Sequence, residues 1–224
     1  VVYSGDIYLA RHGQTKWNLL HRIQGQTNTA LSPLGLQQAQ YLLLALKDQP
    51  ISAIYTSGLD RTKLTARPLA DHLDLSLQAT DLLNEMAFGV MEGKCLSDLT
   101  LEDKGLWNWW EEDPVQRRIP GGENYLDLHR RAAFFLEDLR NTGGAILVVG
   151  HLRINQMLLG LLLNLPVEKA AAIKQDNNWL YRYRKGSPVR RAVIPPGEGK
   201  RLHWQTGLIL AERKTRQNGG ISGS

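Results

Sequence analysis

Three side chains of the kind that carry chemistry stand just beyond short apolar runs. Ile7-Tyr8-Leu9-Ala10 leads into Arg11-His12-Gly13, and Ala145-Ile146-Leu147-Val148-Val149 leads into Gly150-His151. Ala53-Ile54-Tyr55 leads into Thr56-Ser57-Gly58, with Arg61 just beyond. An imidazole titrates near neutrality and works as nucleophile or base, while a guanidinium keeps its charge and presents a planar fork of donors to an anion. In open α/β sheets ligands gather outside the carboxyl ends of the strands, which would bring His12, Arg61 and His151 together. Singly, each has a plainer reading: a histidine after a strand is commonly structural, and an arginine at a helix start commonly faces solvent. Three of them at three strand ends make coincidence the weaker account. His12, His151, Glu85 and Cys95 include metal-ligand types, but their spacing is unlike a zinc site and no acidic cluster suggests a two-metal centre, so no catalytic metal is expected.

The elements that must position these groups are legible as runs and stripes. Continuous apolarity in the three runs predicts strands covered on both faces, as in a parallel sheet. Ser32 is a plausible N-cap, with Pro33 at the first helical position and a stripe of Leu36, Ala39, Leu43 and Leu46 following. Tyr125, Leu128, Ala132, Phe135 and Leu139 form a second stripe ending before Gly143-Gly144. Ile154–Leu163 is apolar nearly all round and reads as a buried helix. Another helix is expected from Asp60, kinked or ended by Pro68. Trp179–Tyr183 and Val189–Ile194 read as late strands joined at Gly186-Ser187-Pro188. The expected fold is an α/β three-layer sandwich: a mostly parallel central sheet flanked by helices. Residues 1–211 read as a single domain, with a Gly- and Trp-rich helical insertion at 86–122 near the active site. Residues 212–224 read as a disordered basic tail.

Composition sets limits. The 224 residues are 42% hydrophobic and 22% charged, as in an ordinary globular protein. No apolar stretch approaches the ~20 residues of a membrane span, and no leader is visible in residues 1–30. The single cysteine, Cys95, excludes an internal disulfide and fits a reducing compartment, so a cytoplasmic location is expected. The net charge of +5 is uneven: residues 182–216 hold ten Lys/Arg against Glu198 and Glu212. That segment could attract anions or nucleic acid, but a solvated surface is the commoner reading and no nucleic-acid motif accompanies it. A homodimer is left open.

Longer blocks make the site specific. Leu9-Ala10-Arg11-His12-Gly13-Gln14-Thr15-Lys16-Trp17-Asn18 resembles the signature of the histidine phosphatase superfamily, also called phosphoglycerate-mutase-like. The resemblance continues in order through Arg22-Ile23-Gln24-Gly25, Leu31-Ser32-Pro33-Leu34-Gly35, Gln38-Ala39, and Thr56 to Arg61 with Thr65-Ala66. It extends through Leu83 to Gly89 with Glu92-Gly93, Pro120-Gly121-Gly122-Glu123, Val148-Val149-Gly150-His151 and Asn177. It implies that His12 attacks phosphorus, its other ring nitrogen held by the Gly13 carbonyl. Arg11, Arg61 and His151 would surround the phosphoryl oxygens, helped by the N-terminus of the helix starting near Leu152. Glu85 would be the general acid, kept protonated by burial or by the substrate dianion. Thr15, Asn18, Gln24 and Gly25 match positions that touch phosphate or substrate; for them, local cap and turn hydrogen bonds are the competing account. The resemblance implies a small-molecule phosphate ester as substrate and no cofactor.

Two departures bear on the substrate. Gly25-Gln26-Thr27-Asn28 lacks the Gly-Trp pair and aspartate typical of the mutases, which favours a phosphatase. Leu152-Arg153 follows the second histidine where a phosphatase often has Gly, and Asn124 stands where Ser is commoner. Leu152 and Arg153 are therefore candidate substrate contacts, with Arg117 and Arg118 as further candidates for a basic rim. Trp107, Trp109 and Trp110 would form either an apolar wall or the insertion's own core. A phosphoglycerate-type mutase and a non-catalytic phospho-ligand-binding module are the alternatives.

Overall fold

The computed structural model describes residues 3, 5–139, 143–197 and 200–211. Its seven-stranded sheet has the order β3-β2-β4-β1-β5-β6-β7. Strands β1 (Asp6–Arg11), β2 (Ile51–Thr56), β3 (Leu77–Ala79) and β4 (Ala145–Gly150) form the parallel part. Strands β5 (Trp179–Arg184), β6 (Arg190–Val193) and β7 (Gln205–Thr206) extend it antiparallel from β1. The helices are α1 (Lys16–Leu19), α2 (Pro33–Leu46), α3 (Asp60–Leu73), α4 (Leu101–Glu112), α5 (Tyr125–Asp138), α6 (Leu152–Leu162) and α7 (Val167–Ala170).

The central strands are buried on both faces, as their unbroken apolarity predicts. Alternate side chains of β1 enter two separate cores: Ile7 and Leu9 join α5 and α6, while Tyr8 and Ala10 join α2 and α3. That alternation makes three layers, helices on either side of one mostly parallel sheet. Asp6 ties the parallel and antiparallel parts together, since Arg182 and Arg184 of β5 both bond its carboxylate at 2.6 Å.

One helix reading needs correction and a second is narrowed. Ser32 does cap α2 and Pro33 does open it, but the buried face is Gly35, Ala39, Leu42 and Leu46, and Leu36 is 54% exposed. The helix is turned because its first turn is pressed against the chain after β1: a Cβ on Gly35 would lie 2.0 Å from the Gln14 carbonyl oxygen. Of the two outcomes expected at Pro68, the ending does not occur, since α3 runs on to Leu73. The carbonyl that loses its partner belongs to Leu64, an exposed residue, so the lost bond falls on the solvent side of the helix.

The region 86–122 holds two 3₁₀ turns, Gly89–Met91 and Leu96–Asp98, and α4. Trp107 and Trp110 pack with Phe88, centroids 5.0–5.7 Å apart, so their use is internal packing. The tail 212–224 lies outside the described residues.

Candidate active site

Three parallel strands deliver the site. Arg11 ends β1 and His12 follows it; Ser57 follows β2 and Arg61 occupies the first turn of α3; His151 follows β4 and is the N-cap of α6. Parallel pairing of Arg11 with Gly150 puts the two histidines side by side, their ring centroids 5.1 Å apart.

His12 is buried, and its Nδ1 lies 2.8 Å from the Gly13 carbonyl oxygen. A carbonyl only accepts, so Nδ1 carries the proton and Nε2 keeps a free lone pair. Burial, reinforced by the charges of Arg11 and Arg61, holds the ring well below its ordinary pKa of 6.5, so it is neutral at pH 7. The main chain around it is fixed on three sides: its N–H donates to Gly150, its carbonyl accepts from Asn177, and the Gly13 N–H donates to Thr65 of α3.

Arg61 is fully buried. Its Nε donates to His151 Nδ1 at 3.2 Å, and its two terminal nitrogens donate to the carbonyls of Thr27 (2.9 Å) and Gly25 (2.7 Å). Burial lowers its pKa to about 10, which still leaves it charged at pH 7. His151 Nδ1 is thus an acceptor, so its proton sits on Nε2 and points to Ser57 Oγ, 2.8 Å away. The hydroxyls of Ser57 and Thr62 pass that bond on to the Leu59 carbonyl. Burial first, then the neighbouring Arg61 charge, keeps His151 neutral as well. Arg11 donates to the Gln175 carbonyl at 3.1 Å, and its buried Nε has no partner among the described residues.

Glu85 is nearly buried (7% exposed) on an irregular stretch, and its Oε1 accepts from the Met86 N–H at 2.9 Å. Its charge is felt by both Arg11 and Arg61. The five central predictions, His12, Arg11, Arg61, His151 and Glu85, therefore converge.

The outer predictions divide. Thr15 caps α1 in a capping box with Asn18 and bonds Gln24 at 2.8 Å, so these three residues hold one another. Gly25 has φ +51° and supplies a carbonyl to Arg61, a supporting role. Leu152 opens α6. Arg153 lies over the rings of Phe88 (4.6 Å) and Trp110 (5.8 Å), and its Nε has no partner among the described residues. Arg117 and Arg118 do not join the site: Arg117 pairs with Glu112, and Arg118 grips Asp127 with two bonds of 2.7 and 2.8 Å. Both carboxylates stand a few residues away along the chain and capture these guanidiniums locally.

Sequence reasoning overlooked the residues behind the site: Ser57, Thr62, Gln26, Glu92, Glu123 and Arg131. Glu92 accepts from the N–H groups of Gln26, Thr27 and Phe88 and from the Thr27 hydroxyl, bracing the loop whose carbonyls hold Arg61. Glu92 and Glu123 lie inside the motif blocks, and that was the available signal.

The sequence profile of the histidine phosphatase superfamily (branch 1) matches residues 7–188. The chain belongs to that superfamily. It is 34% identical over 183 residues to the "Probable phosphoglycerate mutase GpmB" of Yersinia pestis (strain Pestoides F), covering 79% of this chain and 83% of that protein. Among solved structures, the α-ribazole phosphatase from Shigella flexneri superposes with a TM-score of 0.76 at 26% identity, covering 87% of this chain and 98% of that one. A mycobacterial glucosyl-3-phosphoglycerate phosphatase, solved with VO3, shares the fold with a TM-score of 0.74 at 24% identity, covering 93% and 100%.

Proposed function

We propose that this chain is a metal-independent phosphomonoesterase for a small phosphorylated metabolite, working through a phosphohistidine on His12. The observation that carries the reading is the fixed tautomer of His12: Nδ1 is tied to Gly13, leaving a neutral Nε2 beside Arg11, Arg61 and His151. Nε2 attacks phosphorus as the bond to the leaving oxygen breaks. The guanidiniums offset charge on the equatorial oxygens, and Glu85 gives its proton to the departing alkoxide. Water, losing a proton to Glu85, then attacks the phosphohistidine, and the P–N bond breaks to release phosphate and free His12.

A mutase reading has one specific support, the name of the Yersinia relative. Against it stand the solved phosphatase neighbours and the Gly25–Asn28 loop. Gln26 there bonds the Glu85 carbonyl and Asn28 accepts from the Asp60 N–H, so both residues serve internal structure.

The test is chemical trapping. Rapid quench during turnover of a phosphate ester should leave acid-labile, alkali-stable phosphate on His12, and His12→Ala should abolish both label and turnover. Activity should survive EDTA. Full turnover by His12→Ala would end the proposal, and transfer to a second phosphoglycerate in place of phosphate release would favour the mutase.

A further inference from the structure

Glu85 belongs to no helix or strand, so its backbone needs an external support. That support comes from Arg131, the seventh residue of α5. Its NH1 donates to the carbonyls of Leu82 (3.0 Å), Asn84 (3.0 Å) and Asp81 (3.3 Å), and its NH2 reaches the carbonyl of Glu85 itself at 3.3 Å. Glu123 orients the guanidinium from the other side through Nε (2.9 Å) and NH2 (3.0 Å). The same carboxylate accepts from the Ala87 N–H at 2.9 Å, two residues past Glu85. Gln26 closes the ring, donating to the Glu85 carbonyl at 3.1 Å.

These contacts grip the 81–87 stretch on both sides of Glu85 and fasten it to a rigid helix. Arg131 is flanked by Ala132, which is fully buried in the core. The pairing Glu123 N–H to Ala87 carbonyl (2.9 Å) and the close approach of Gly89 to Pro120 hold the two segments of this clamp together. A planar fork with five donors on three nitrogens can span these four carbonyls and the carboxylate at once; an ammonium, with three donors on one nitrogen, cannot reach the whole set.

We infer that Arg131, oriented by Glu123, is the positioning residue for Glu85 and sets the reach of its carboxyl to the leaving oxygen. The inference rests on the acid role proposed for Glu85. A misplacement of about 1 Å in such a group costs on the order of 10²-fold, and the loss falls on substrates that need the proton.

The experiment compares an alkyl phosphate with an activated aryl phosphate, whose leaving group scarcely needs protonation. In Arg131→Lys, kcat/KM for the alkyl ester should fall at least about tenfold further than for the aryl ester. In the Arg131→Lys/Glu85→Gln double variant that selective loss should not add to the loss in Glu85→Gln, because one acts through the other. Gln26→Met, which removes only an outer strut, should show the same split in smaller measure, and it decides the matter if Arg131→Lys does not fold. Equal losses on both esters, or additive losses in the double variant, would overturn the inference. If Glu85→Gln splits the esters and the clamp variants do not, the clamp alone fails. If Glu85→Gln shows no split, the acid role and the clamp fall together.

Discussion

Arg153 holds its charge against aromatic rings. Its guanidinium rests on Phe88 and Trp110, and its charge adds to burial in lowering the pKa of Arg11. No carboxylate forms an ion pair with Arg153 among the described residues. Aromatic faces tolerate a cation without neutralising it, so a charge remains for a second anionic group on the substrate. In Arg153→Gln the ratio of kcat/KM for esters carrying a second anionic group to that for neutral isosteres should fall at least about tenfold, the worth of one charged hydrogen bond. A panel in which neutral sugar phosphates win, with that ratio unmoved in Arg153→Gln, would exclude an acidic second group.

At the scale of elements, the contact between α2 and the turn after β1 decides where His12 stands. A Cβ on Gly35 would meet the Gln14 carbonyl oxygen at 2.0 Å, and one on Gly13 would meet the Gly35 carbonyl oxygen at 2.6 Å. Both obstacles are backbone, so neither can swing aside. Gly35→Ala should cost on the order of 1–3 kcal/mol by overpacking and, with His12 as the proposed nucleophile, should lower turnover with it, since the shifted turn carries His12. Gly105, inside α4, has nothing within 4 Å of its added Cβ. Gly105→Ala should therefore stabilise by roughly 0.5–1 kcal/mol. Urea unfolding of the two variants checks both signs; a stabilised Gly35→Ala would mean the two segments are not in contact.

For the molecule as a whole, burying His12 and His151 makes stability depend on acid. His12 and His151 both have pKa values depressed by burial and by neighbouring arginines. Below pH 6.5 the unfolded chain takes up protons that the folded site refuses. Stability is therefore full above that pH and declines on acidification towards the folded pKa, by up to about 1.4 kcal/mol per pH unit for each histidine. Asp6 acts in a lower window. Burial alone would raise its pKa, but hydrogen bonds from Arg184 and Arg182 outweigh this and lower it below 3.8. Its contribution persists above that value and is lost as pH falls through the folded one. Unfolding free energies by urea should drop between pH 7 and 5, then again below about pH 4; a flat profile from pH 7 to 5 would mean the histidines are solvated. Among the described residues no helix is long and apolar enough to cross a membrane.

The amino-acid sequence by itself determined the strands and the main helices, and its runs and motif blocks pointed to the five residues that the fold brings together, Glu85 through the family resemblance alone. Short unbroken apolar runs bounded by turn residues read as strands covered on both faces, and His12 and His151 directly follow two of them in the motif blocks. Local signals also sufficed for Ser32 and Pro33 at the start of α2. Only the tertiary structure decided which face of α2 is buried, because the constraint on Gly35 comes from Gln14, distant along the chain. It likewise turned Arg117 and Arg118 away to carboxylates and gathered Gln26, Glu123 and Arg131 behind Glu85. A charged side chain's partner depends on which groups lie within reach in space, and periodicity carries no record of that.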